Sequence, residues 1–169
     1  MPRTYIAILT HPHINTHPHI KTKNTKECGD EWTKKQSVKW WQREWTETTK
    51  GAITKAFFPK IEDRLKFRIN VTPQSTAIVT GHGNIKAYLH KYKIIDDPTC
   101  PCRKGPQTVQ SIIFDCPLLE KEREKLKAVV TRTENWPVSC NKLGVQYHKE
   151  FKEYVDNINW KEEQSKSSQ

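Results

Sequence analysis

With 169 residues, 34% of them hydrophobic, and a mean hydropathy of -0.85, the chain has room for one domain with a small core. Twenty-nine basic against nineteen acidic residues give a formal charge of +10, which suits polyanions such as nucleic acid and disfavours acidic small substrates. No run approaches the roughly 18 apolar residues of a membrane span, and the five cysteines are odd in number and not spaced like a secreted disulfide framework, so an intracellular, reducing setting without a membrane partner is expected.

Residues 1–29 read as a disordered, His/Lys-rich leader. HPHI occurs at 11–14 and again at 17–20, Pro12 and Pro18 forbid a helix interior, and a polar KTKNTK run follows. From Asp30, a candidate cap, Val38, Trp41 and Trp45 recur at helical spacing. Lys34, Lys35, Lys39 and Arg43 interleave with Trp32, Trp40, Trp41 and Trp45; packing of the tryptophans into a core is expected over stacking on bases. Gly51 is expected to end this helix, Ala52 to Phe58 forms a short apolar element, and 60–69 is compatible with helix or strand.

Thr72-Pro73 opens a short helix that Gly81 stops, and the Gly81-His82-Gly83 turn relies on glycines for positive φ. Asn84 is the expected cap of a helix striped by Ile85, Tyr88, Leu89 and Tyr92. A turn at Asp96-Asp97-Pro98 leads into an extended Cys100-Pro101-Cys102 loop, and Thr108 caps a short helix with Val109, Ile112 and Ile113 that ends near Cys116. Pro117 then opens a charged helix to about Val130, with Leu118, Leu119, Leu126 and Val129 inward and Glu120 to Lys125, Arg123 among them, in water. Phe151, Tyr154, Val155 and Ile158 stripe a last helix over 148–160, and 161–169 reads as a disordered tail. The expected fold is mainly α: a small helical domain over 30–160 with an irregular Cys-Pro-Cys loop and disordered termini.

The chemistry gathers in the cysteines. Two thiols separated by one proline, with a third at the end of the next helix, can converge on one ion, and thiolates suit zinc. A closed zinc site needs a fourth donor, for which His82, His90, Cys140 and His148 are the candidates. The competing expectation is three buried cysteines acting as small apolar residues. No acidic cluster is placed as two-metal catalysis requires, and no phosphate-cradling glycine loop is present in the sequence, so the chain is expected not to be an enzyme.

Trp41-Gln42, Trp45, Thr80-Gly81-His82-Gly83, Tyr88-Leu89, Cys100-Pro101-Cys102, Thr108 and Phe114-Asp115-Cys116-Pro117 carry a family resemblance. The run from Gln42 to about Trp160 resembles the segment after the ribonuclease H region in the polyproteins of jockey-like non-LTR retrotransposons, which encode reverse transcriptase. That family has a C-x-C…H-x4-C pattern similar to a zinc knuckle for nucleic acid. Cys100, Cys102 and Cys116 match it, and Ser111 stands at the histidine position. The resemblance implies descent from a polyprotein tail without its polymerase and nuclease parts. The expected function is a non-enzymatic nucleic-acid or ribonucleoprotein binding module, with phosphate contacts from Lys34, Lys35, Lys39, Arg43 and Arg103. The alternatives are a protein-interaction scaffold, self-associating through exposed tryptophan and leucine, and a remnant without a selected role.

Overall fold

The computed structural model describes residues 26–66 and 72–159, the side chains of 26–30 and 66 excepted. The predicted leader up to residue 25, the end of the helix-or-strand stretch beyond residue 66 and the predicted tail lie outside the described residues. Two compact units divide the chain, Met1–Lys35 and Gln36–Gln169.

Described residues of the first unit are helical. They form the start of α1, Lys26–Glu47, so Asp30 lies within a helix and does not begin one.

The second unit is all helical, apart from a single antiparallel bridge between Thr99 and Pro106 among the described residues. After the remainder of α1 come α2 (Ala52–Phe57), α3 (Ile61–Lys66), α4 (Pro73–Thr80) and α5 (Lys86–Lys91). A short helix then widens into a π turn at Ser111–Asp115, and a 3-10 turn at Pro117–Leu119 leads into α6 (Glu120–Val130). The last two helices are α7 (Cys140–Val145) and α8 (His148–Asn157).

α8 is the element on which the others rest: it packs on α4, α6 and α7, while α2 packs on α4 and α7. Phe151, Tyr154, Val155 and Ile158 are all buried, as their spacing predicts, and meet Phe57, Ile78, Leu126, Val130 and Leu143 in one core. At the crossing of α2 and α7, a Cβ on Gly144 would stand 3.2 Å from the Phe57 ring, so the absence of a side chain there sets how near the helices come.

α4 opens on the expected Thr72: its hydroxyl accepts from the Ser75 N–H at 3.1 Å, the Ser75 hydroxyl answers the Thr72 N–H at 3.0 Å, and Pro73 needs no donor. Thr72 Oγ1 also donates to Asp156 on α8 at 2.7 Å. Gly81 closes α4 at φ 71, the left-handed region that glycine enters without a Cβ penalty.

Several boundaries differ from expectation. α1 ends at Glu47, and Gly51, at φ 73, instead precedes α2. Ile85, not Asn84, precedes α5, and the residue that satisfies that helix end is Gln107: its Oε1 accepts from Lys86 N at 3.2 Å and its carbonyl from Ala87 N at 3.1 Å. Leu118 is 42% exposed, because it lies on the 3-10 turn, before the α-helical stripe begins.

The largest correction is Arg123, expected in water and only 1% exposed. Its Nε donates to Ile113 O at 2.7 Å, its Nη2 to Cys116 O at 2.8 Å and Ile112 O at 3.3 Å, and its Nη1 pairs with Glu120 at 2.5 Å. Carbonyls at the end of the π turn lack partners within it, and the guanidinium fork supplies them.

Candidate metal centre and nucleic-acid face

The Cys-Pro-Cys loop is a tight, backbone-bonded arch. Gln107 N donates to Pro98 O, Cys100 N to Gly105 O and Arg103 N to Cys100 O, each at 2.8 Å. Arg103 takes φ 60, a left-handed bend uncommon for a residue with a side chain, and it stands exposed beside exposed Lys104 at the loop's tip. Across from the loop, the π turn brings Cys116 N onto Ser111 O at 2.8 Å. The wider turn sets positions 111 and 116 one above the other and delivers the Cys116 sulfur to the loop.

The sulfurs of Cys100, Cys102 and Cys116 all lie within 4.8 Å of one another, and Cys100 Sγ is 3.7 Å from Cys116 Sγ. Two sulfurs each about 2.3 Å from a tetrahedral zinc stand about 3.8 Å apart, so the donor set and spacing fit the ion. The three thiols therefore form a group able to hold a metal.

Their proton affinities diverge. Burial pushes the Cys100 thiol up to about 12 and raises Cys116 as well. At Cys102 partial burial opposes ionisation, yet the Lys104 N–H and hydrogen bonds from Cys100 and Cys116 hold its thiol below the ordinary value. Arg123 donates to the Cys116 carbonyl while paired with Glu120, so an ion pair adjoins that side of the cluster.

None of the four candidate fourth donors joins that group of sulfurs. The His82 ring packs on Tyr88 with centroids 4.8 Å apart, His90 is exposed, Cys140 begins α7, and His148 Nδ1 lies 3.2 Å from Val145 O. Ser111 is engaged within its own helix. Its Oγ accepts from Thr108 N at 2.9 Å and sits 3.0 Å from Thr108 O, while Ser111 N donates to Thr108 Oγ1 at 3.0 Å. That reciprocal pair caps the short helix, so Thr108 is the cap its sequence position predicts and Ser111 completes it.

Of the expected phosphate contacts, Lys34 and Lys35 fall in the first unit, both exposed, with Lys35 2.9 Å from Glu31. Lys39, Arg43 and Arg103 are exposed in the second. The tryptophans depart from the expected core packing. Trp45 alone is partly buried, its Nε1 donating to Phe58 O at 2.8 Å, while neighbouring Gln42 donates to Pro59 O at 3.0 Å and accepts from Ile61 N at 2.8 Å. Those two residues pin α1 to the α2–α3 junction. Trp40 and Trp41 stay 43% and 45% exposed, and Trp32 is exposed in the first unit. On α1, Lys39, Trp40 and Arg43 fall within an arc of about 100°.

Sequence reasoning missed Gln107 and Arg123, which hold the two sides of the thiol cluster in place. The spacing of Glu120 and Arg123, one helical turn apart, was the one available signal for the second.

A small all-helical domain carrying a three-thiol cluster is thus the class of molecule in hand. Over 115 residues, 66% of its length, the chain is 28% identical to the "Retrovirus-related Pol polyprotein from type-1 retrotransposable element R1" of Popillia japonica, covering 45% of that protein. A protein of the same description from Bradysia coprophila is 28% identical over 89 residues, 50% of this chain and 8% of the relative. The "Putative 115 kDa protein in type-1 retrotransposable element R1DM" of Drosophila melanogaster is 29% identical over 101 residues, 57% of this chain and 10% of the relative. The chain is related to non-LTR retrotransposon Pol polyproteins, and it spans less than half the length of each of these curated relatives. No family model matches it, and neither does any solved structure. No helix among the described residues is long and apolar enough to cross a membrane.

Proposed function

We propose that the chain is a non-enzymatic nucleic-acid binding module, derived from the tail of a retrotransposon polyprotein and stapled by zinc on Cys100, Cys102 and Cys116. The observation that carries this reading is the exposure of Trp40 on the same face as exposed Lys39 and Arg43, on a helix held in place from its other side by Gln42 and Trp45. An aromatic ring gives a base a surface to stack on, while the cations beside it meet phosphates, and neither requires a particular sequence. Arg103 at the tip of the stapled loop supplies a second cationic point, and Lys34 and Lys35 add to the positive charge of the first unit. The zinc serves the fold: it joins the loop to the end of the π turn. Asp97, three residues before Cys100, accepts from Thr99 N at 2.9 Å and is engaged in its own turn.

Fluorescence anisotropy with a labelled single-stranded oligonucleotide tests the reading. Affinity falls steeply with added salt, with a slope of about 0.7 per phosphate contact, and Lys39→Ala with Arg43→Ala flattens it. Trp40→Ala costs about 1–3 kcal/mol of binding. Binding indifferent to salt, or to all three substitutions, removes the proposal.

The same exposed tryptophans favour one second reading, a protein-interaction surface through which helices pair. It expects oligomers that grow with concentration and vanish in Trp40→Ala, with no response to nucleic acid.

A further inference from the structure

We propose that the cluster of Cys100, Cys102 and Cys116 is a three-thiolate zinc site whose fourth position accepts a free low-molecular-weight thiol from solution. The inference rests on the zinc-staple reading and adds to it what completes the ion's coordination.

Three observations carry it. Among the described residues, no histidine, cysteine or carboxylate joins the three sulfurs. Ser111, which the π turn stacks over Cys116, has its hydroxyl held by Thr108 N, Thr108 O and Pro106 O, and a hydroxyl is in any case a poor donor to zinc beside thiolates. The cluster is also closed on two sides and open on one: Cys100 and Cys116 are buried, whereas Cys102 is partly exposed and is followed directly by the exposed Arg103 and Lys104. A site with three protein ligands keeps one position for an outside ligand.

Charge decides which ligand. A divalent ion with three thiolates carries net charge -1, and a fourth thiolate makes it -2. Neutral surroundings would resist that charge, but the exposed Arg103 and Lys104 follow Cys102 directly in the chain, and the Arg123 guanidinium, shared with Glu120, donates to the Cys116 carbonyl. A soft, anionic donor small enough to enter at the Cys102 edge therefore fits. The incoming thiol releases its proton to solvent and binds through sulfur; no oxidation is involved and no bond within the protein breaks.

The test replaces zinc by cobalt(II) in the reduced full chain and follows its visible spectrum. A single equivalent of cobalt should bind with strong thiolate charge-transfer absorption, lost in Cys102→Ser. Adding β-mercaptoethanol should then shift the ligand-field bands saturably. Ser111→His and, as a second variant, Ser111→Cys place a protein donor at the fourth position and should abolish that shift while retaining the cobalt; the far-ultraviolet dichroism of each shows that it is folded. A wild-type protein that binds cobalt but ignores β-mercaptoethanol has a fourth ligand of its own, which overturns this inference and leaves the zinc staple standing. A shift that appears without added thiol as protein concentration rises assigns the position to a second copy and also overturns it. Failure to bind cobalt or zinc at all removes the staple reading itself.

Discussion

Arg123 shows how much a single side chain organises here. Its neighbours Glu120, Lys121, Glu122, Glu124 and Lys125 make the segment look like a solvated face, and composition is blind to backbone carbonyls approaching from elsewhere in the chain. Three such carbonyls, on Ile112, Ile113 and Cys116, converge on the guanidinium, and Tyr154 Oη donates to the first of them at 2.5 Å. Arg123→Met keeps the aliphatic stem but removes the Nε donor to Ile113 O and the close partner of Glu120, leaving Ile112 O to Tyr154, Cys116 O to Leu119 N and Glu120 to Lys127. We expect a loss of about 3–5 kcal/mol, the scale at which removal of one partner destabilises a buried charged pair. Arg123→Lys should recover only part of it, because an ammonium lacks the planar fork that meets two carbonyls at once. Urea unfolding checks this: the midpoint falls at constant slope, and an unchanged midpoint would show the guanidinium to be dispensable.

Among the elements, those whose faces are set by their own periodicity were legible. α8 shows its buried stripe directly, and Thr72, Gly81 and Thr108 mark helix ends because capping chemistry is local. The thiol cluster was legible for a similar reason: one intervening proline holds two sulfurs together, and the third lies at a helix end. What the sequence could not reveal depends on partners distant along the chain. The tryptophans of α1 have helical spacing, yet only Trp45 and Gln42 find the α2–α3 junction, so Trp40 and Trp41 remain outside. The start of α5 is likewise satisfied from 21 residues away, by Gln107, and not by the adjacent Asn84. Gln107→Ala should therefore accelerate amide hydrogen exchange at Lys86, since an unmet buried donor costs about 1–3 kcal/mol, whereas Gln107→Glu keeps the acceptor and slows exchange again. Equal exchange in all three proteins would mean that the helix end is satisfied by other means.

For the whole molecule, the buried thiols couple stability to pH. Burial raises Cys100, Cys116 and Cys140 and the Tyr154 phenol, and among the described thiols Cys102 is shifted down. A group whose folded value is raised stabilises the fold fully below its unfolded value, about 8.5 for a thiol, and that contribution drains away as pH climbs toward the folded value, about 12 for Cys100. Cys102 works in the opposite sense and offsets part of the loss, but the raised groups outnumber it. The metal-free protein should then lose thermal stability as pH rises above about 8.5. On the proposed zinc staple the trend would reverse for Cys100, Cys102 and Cys116: thiols must be deprotonated to bind the ion, so each proton already lost to solvent is one the ion need not displace, and affinity would rise with pH. The gap in melting temperature between zinc-loaded and chelator-treated protein should consequently widen across that window. In Cys102→Ser the gap should shrink at every pH, because the ion then loses one of its three thiolates. Parallel melting curves for loaded and chelated wild type would mean that the sulfurs are ordinary core atoms, packed close for want of space and not for a metal.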